Sequence, residues 1–368
     1  MPPLNIFIPL EPLQELAGKP DRGKPSLLKG MANLLVTAVS DDQVPPDLLD
    51  SANAQLKKHW QLADAQLALR ELEANATSGG KRSLVELFSP RVFMDENMIQ
   101  AAEKAGSTVG GSQVIMAYMV NRIDNRALPE EFVPYSIVAA VPHKGPDSRL
   151  DSPTNRPLAK GEMLINEWLR DSRQQTKLGD EVDLTYYVLG NNREMKEENR
   201  TFKVVGVVPT EGPGGDRELM PHFPGVRELK SISELDKLGF TLDKELRRQI
   251  TRRPENDKYW GRISRNRVTG YRGTPKAFIS PADAHEMWNN RYGIATAVRY
   301  PGGDGVLETV QAQVRKHFDP INIGLEFRDV RSFAVEGNSA SDFGGLFIGL
   351  SFFLVAAALI LMGLLFVF

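Results

Sequence analysis

Cysteine is absent from all 368 residues. Disulfide scaffolds, Cys-ligated zinc, iron–sulfur clusters and thiol nucleophiles are thereby excluded. A surplus of one charge sign is missing too, since 45 Lys and Arg face 47 Asp and Glu. Chains that mainly neutralise nucleic-acid phosphates carry a strong basic excess, so no nucleic-acid partner is expected. The phosphate loop GxxxxGK[ST] is incomplete: Gly18 and Gly23-Lys24 stand at its spacing, but Pro25 occupies the place of the Ser or Thr hydroxyl. ATP hydrolysis by this chain is therefore not expected. His285-Glu286 opens like a zinc-protease helix, but Asn289 stands where the second His ligand belongs. The histidines at 59, 143, 222, 285 and 317 show no metal-ligand spacing, and no GxSxG elbow occurs. No catalytic, cofactor or metal residue is assigned on these grounds. The start of the chain has no basic segment leading into an apolar run, so no cleavable signal peptide is read.

What is present is led by the uncharged stretch FGGLFIGLSFFLVAAALILMGLLFVF, from Phe343 to Phe368. As a helix it spans ~39 Å, more than the ~30 Å hydrocarbon core of a bilayer. Its Phe, Leu, Ile and Val content favours insertion into lipid. Ser341, Gly345 and Gly349 fall on one helix face, roughly continued by Ala356 and Gly363. A face of small residues lets a second membrane helix approach closely. Natural spans usually end in a polar or basic flank, and none follows Phe368, so the C-terminus reads as cut.

The chain also resembles itself. LLDSANAQLKKHW (48–60) aligns without gaps to VLETVQAQVRKHF (306–318), matching Lys57 to Arg315 and Trp60 to Phe318. The same offset places LALREL (67–72) on LEFRDV (325–330). Upstream, IFIPLEPLQEL (6–16) corresponds to AFISPADAHEM (277–287), and VTAV (36–39) to ATAV (295–298). Each copy reads strand, helix, strand, helix, strand. Leu49, Ala52 and Leu56 form one helix face, mirrored by Leu307, Val310 and Val314. His59 and His317 hold equal places near helix ends, where histidine usually meets unsatisfied carbonyls. Such units predict a sheet with helices packed on it, an α+β architecture.

Between the copies, EMLINEWLRDS (162–172) reads as a short amphipathic helix, followed by strands over 181–189 and 201–209. Residues 91–106, 114–123 and 135–141 read as strand plus helix, strand, and strand. Gly212, Gly214 and Gly215 read as a plain turn rather than an anion loop, because Glu211, Pro213 and Asp216 disfavour an anion. Residues 244–276 are basic, a solvated surface in the simplest reading. The domain plan is 1–159 for the first repeat with an added α/β segment, and 160–275 for a β-rich insertion. The second repeat takes 276–335, and 336–368 a linker and membrane helix. Only Met1 to Asn5 precede the first copy, so an N-terminal counterpart of 160–275 is missing and the chain reads as an internal fragment.

This order of segments resembles the MacB-like and FtsX-like ABC transporter permeases. The stretches that carry the resemblance are LGDEVDLTYYV (178–188), FKVVGVV (202–208), INEWLRD (165–171), DRELMPHFPG (216–225), YRGTPKAFIS (271–280) and SASDFGGLFIGLSFFLVAAALILMGLLFVF (339–368). The resemblance implies a porter-like α/β part, a small β-rich Sabre-like part, and the start of an FtsX-type membrane domain. It further implies a separate cytoplasmic ABC ATP-binding subunit, a second permease copy as dimer partner, and the lipid bilayer as surroundings. Location at the bacterial inner membrane, with the large domain extracytoplasmic, follows from the same likeness. The charges around Arg328 to Asp342 have no positive excess and permit that orientation. A second reading is a tail-anchored protein with a cytoplasmic binding or enzymatic domain.

Overall fold

The structure is a computed structural model that describes residues 44–76, 80–128, 130–143, 150–172, 174–190, 194–221, 274–330 and 343–367. The chain divides into two compact units, one of residues 55–326 and one of residues 1–54 with 327–368.

Among the described residues of the larger unit nine strands form, several of them with alternating burial along the strand. These are β1 (Ala68–Asn75), β2 (Lys81–Phe88), β3 (Gln113–Asn125), β4 (Phe132–Ala140), β5 (Glu162–Asn166), β6 (Glu181–Leu189), β7 (Met195–Val208), β8 (Pro275–Ile279) and β9 (Ala297–Pro301). They hydrogen-bond in the order β1-β2-β9-β3-β4-β8-β5-β7-β6. A further pairing of β6 with β3, Arg122 opposite Thr185 to Asn125 opposite Val182, closes the last six into a barrel. β4–β8 and β5–β7 are parallel; the other pairs are antiparallel. Thirteen-residue β3 is long enough to serve both halves. Its first residues pair with β9 in the open sheet and its last with β6 in the barrel.

One face of the open sheet β1-β2-β9 is covered by α2 (Glu96–Gly106) and α5 (Val306–His317). Val85, Leu87, Val298 and Tyr300 point to these helices, which answer with Met98, Ala102, Val310 and Val314. Asp95 caps α2, its carboxylate accepting from the Met98 N–H at 3.0 Å. Inside the barrel, Val120, Ile123, Val138, Met163, Ile165, Leu184, Phe202 and Ile279 meet. The barrel core also takes Ala284, Met287 and Trp288 from α4 (Pro281–Trp288), where Tyr118 stacks on Trp288 at 5.0 Å. Ser280 caps α4 and Pro281 opens it, as a helix start requires.

The α+β class expected from the sequence is observed, and the strands at 181–189 and 201–208 form. The expected helix over 162–172 does not. Met163 and Ile165 alternate into the barrel core as β5, and only Glu167–Arg170 make one helical turn, α3. Asn166 ends the strand: its Oδ1 accepts from Leu169 N–H at 2.9 Å and its Nδ2 donates to the Pro275 carbonyl at 2.8 Å. Residues 91–94 contribute an isolated bridge, Met94 to Ala295, rather than a strand.

The copy at 277–318 has the expected alternation: β8, α4, β9, α5. Its partner's first strand, helix and second strand, at 6–16 and 36–39, lie outside the described residues. The matched helix is α1 (Pro46–His59), with Leu49, Ala52 and Leu56 half-buried on one face. The matched ends meet. Trp60 and Phe318 are buried with ring centroids 5.5 Å apart, Lys57 Nζ lies 2.7 Å from Asp319, and Arg315 donates to the Lys58 carbonyl at 3.0 Å. The alignment fails at its last step: 67–72 lies mostly in β1, whereas 325–329 take no strand conformation. There the Phe327 N–H donates to Asn53 Oδ1 at 2.8 Å, and its carbonyl accepts from Asn53 Nδ2 at 3.1 Å. A side-chain amide thus occupies the backbone groups that a ladder would need. Residues 160–208 supply β5, β6 and β7 to a barrel whose other strands come from 113–140 and 275–279.

Candidate functional site

Two features stand out from an ordinary soluble α+β body: an exposed apolar helix and a charge cluster buried beneath the open sheet.

The helix, α6 (Phe343–Val367), contains no proline to break it and no charged residue. From Phe347 to Val367 it is long and apolar enough to cross a membrane. Every side chain described over that span is exposed except half-buried Ala356. Twenty such residues open to water would be untenable in a soluble protein. Of the predicted packing face, Gly345, Gly349, Ala356 and Gly363 lie in this helix and Ser341 lies outside the described residues, as does Phe368, the expected end of the span. A Cβ added at Gly349 or Gly363 would meet nothing within 4 Å, so the groove they leave is open.

The charge cluster lies on the other face of the open sheet. In β2 and β9, Glu86 and Arg299 alternate with Val85, Leu87, Val298 and Tyr300, and so point away from the helices. They face each other across the register, Glu86 opposite Arg299. Arg299 Nε donates to Glu86 Oε2 at 2.8 Å, and its Nη1 donates to Asp216 Oδ2 at 2.6 Å. Glu86 Oε1 accepts from Arg70 Nε at 2.9 Å and Nη2 at 2.5 Å. Arg70 also lies 3.4 Å from Glu218. The side chains of Arg299, Glu86 and Asp216 are only 5%, 2% and 6% exposed. Burial alone would lower the Arg299 pKa, but Glu86 and Asp216 reverse that and raise it above its ordinary value. Asp216 Oδ1 accepts from the Glu218 N–H at 2.9 Å, so both Glu86 oxygens and both Asp216 oxygens are engaged.

The turn carrying Asp216 is the glycine loop noted in the sequence. It folds as two short 3₁₀ turns, Pro213–Gly215 and Arg217–Leu219, with Gly214 and Gly215 buried. A Cβ on Gly215 would overlap the Thr210 carbonyl, so glycine serves close backbone approach here.

Two further charged sites lie at the barrel. Fully buried Asp283 accepts from Arg200 Nη2 at 2.6 Å, Ser280 Oγ at 2.7 Å and the Gly161 N–H at 3.1 Å. It thereby ties α4 to β7 and to the start of β5. Neighbouring Glu286 lies 2.7 Å from Lys160 and 3.1 Å from Arg200, and these bonds lower its pKa. The Glu of the incomplete zinc-protease motif is thus an ion-pair partner, while His285 faces Asn289 at 3.4 Å. Lys276, on β8, places its Nζ 3.0 Å from Thr274 Oγ1 and 4.7 Å from the centre of the Trp168 ring.

Burial pushes the Lys276 ammonium down to about 7. An unfolded lysine titrates near ~10.4, so between these values the unfolded chain binds more protons. Stability therefore rises with pH from about 7 towards ~10, by at most ~1.4 kcal/mol per pH unit, and this gain is absent below about 7. Lys276→Met removes that slope. Urea unfolding of both chains at pH 6.5 and 9.5 checks it, with equal pH dependence as the contrary result.

His59 and His317 are the last residues of α1 and α5, each exposed at a helix C-terminus as expected. Among the described residues no group of three or more His, Asp or Glu could hold a metal ion. No model of a protein family matches the chain, and no curated protein matches it.

Proposed function

We propose that the chain is the extracytoplasmic domain and adjoining membrane helix of an ABC transporter permease subunit of the MacB-like and FtsX-like kind. The observation that carries the reading is α6, an uncharged 25-residue helix with its apolar side chains exposed, following an α+β body in the same chain. In this reading the body transmits conformational change across the membrane, for export or for mechanotransmission. ATP is hydrolysed by a separate cytoplasmic subunit, and a second permease copy completes the dimer. Residues 276–335 are the returning porter-like half and the strands within 160–208 the Sabre-like part. Lipid surrounds α6, and the face of Ser341, Gly345, Gly349, Ala356 and Gly363 receives a neighbouring helix.

Two observations support a force-bearing body over a catalytic one. Strand β3 belongs to both the barrel and the open sheet, so displacement of one half loads the other. The matched helix ends at Trp60 and Phe318 lock together, which suits a duplicated porter-like plan.

The test exploits the missing cysteine. Single cysteines replace exposed Lys104 and Lys316 in the full-length protein, and cells with a permeabilised outer envelope receive a membrane-impermeant maleimide. Labelling without lysis is the expected result. Protection until the inner membrane is broken would place the body in the cytoplasm and favour the tail-anchored reading instead.

A further inference from the structure

The buried charge cluster leaves one bond unmade. Arg299 uses Nε on Glu86 and Nη1 on Asp216, while its buried Nη2 has no hydrogen-bond partner. Buried polar groups are nearly always satisfied, by protein or by ordered water. A guanidinium already wedged between two carboxylates cannot turn to find another partner without breaking an existing bond.

Arg299 also lines a small cavity of about 20 Å³. Its other polar walls are Arg82, Gln113, Asp151 and Asp216; Leu84 and Leu150 are among its apolar walls. A water needs roughly 10–15 Å³ of such space, so the cavity suits about one. The charges decide what kind of occupant fits. Arg82 and Arg299 balance Asp151 and Asp216, so the walls carry no net charge to draw an anion or a cation. A neutral group that both accepts and donates is required. Water is the smallest one that does.

We propose that this cavity is a site for one resident water, which accepts from Arg299 Nη2 and joins β9 to the segments carrying Asp151 and Asp216. The water completes the bonding of the guanidinium, so that β9, the 150–153 segment and the 213–219 turn share one hydrogen-bonded junction. This inference stands apart from the membrane reading and concerns the folded body alone.

Crystals of the detergent-solubilised full-length chain, diffracting to about 1.6 Å or better, test it, with parallel crystals grown in sodium bromide. The expected result is one density peak within hydrogen-bond distance of Nη2. It refines as a single oxygen and gives no anomalous signal in bromide. A bromide signal at the peak would make the site an anion site and overturn the proposal. An empty cavity, with Nη2 bonded directly to a protein oxygen, would overturn it equally.

Discussion

Replacing Arg299 with Met is expected to destabilise the folded body by about 3–5 kcal/mol, the usual cost of stranding a buried partner charge. The side chain is 5% exposed and holds Glu86 and Asp216, which are buried to a similar degree. Without it, Asp216 keeps only the Glu218 N–H, and Glu86 keeps only Arg70. At 2% and 6% exposure, neither carboxylate regains the hydration it has in the unfolded chain. The loss exceeds that of any surface pair here. Lys81–Glu73, for example, has both partners about two-thirds exposed and belongs to a class worth at most ~1 kcal/mol. The mechanism separates from lost packing by adding Glu86→Gln and Asp216→Asn to Arg299→Met. Removing the stranded charges restores more than half of the stability, since a neutral cluster of similar volume is often no worse than an ion network. Urea unfolding in detergent, followed by the fluorescence of buried Trp60 and Trp288, measures all three chains. Equal stability of the single and triple variants would show that packing, not charge, holds the turn.

The cluster was not legible in the sequence, and the reason is physical. LVELF (84–88) and AVRYP (297–301) each place one charge in an apolar strand, a pattern that usually means an exposed residue on a half-buried strand. Nothing local says that Glu86 and Arg299 face one another; their hydrogen bond joins residues 213 positions apart. Barrel closure escaped for the same reason, because the β3–β6 register has no signature in either strand. The 162–172 segment reads as a helix only because a short apolar run fits both periods, and Met163 and Ile165 are as compatible with alternation as with a helix face. Where a pattern was long or chemically committed, it did transfer. Strand 181–189 alternates over nine residues, Ser280-Pro281 is a helix start by its own chemistry, and α5 carries its apolar stripe over three turns. The gap-free alignment of 48–60 with 306–318 corresponds to two helices in the fold, but the offset loses its meaning at 325–330, where Pro320 and Gly324 turn the chain.

Membrane attachment through α6 is expected to fail when two acidic residues enter its middle. Ala357 and Ile360 are exposed side chains near the centre of the 347–367 span. Each Asp at such a depth costs roughly 2.5–3.5 kcal/mol to insert, so Ala357→Asp with Ile360→Asp adds about 5–7 kcal/mol. That is large enough to shift a single helix from mostly inserted to mostly excluded, because no second span within the described residues compensates. Extraction with alkaline carbonate then releases the double variant, while the parent chain stays with the membrane. Gly363→Ala is the control: it keeps the helix apolar and adds a methyl group that meets nothing within the chain. It therefore leaves membrane attachment intact, and weakens only pairing with another helix if that face is used. Carbonate resistance of the double variant would mean that other parts of the chain hold the membrane, and α6 could no longer carry the permease reading.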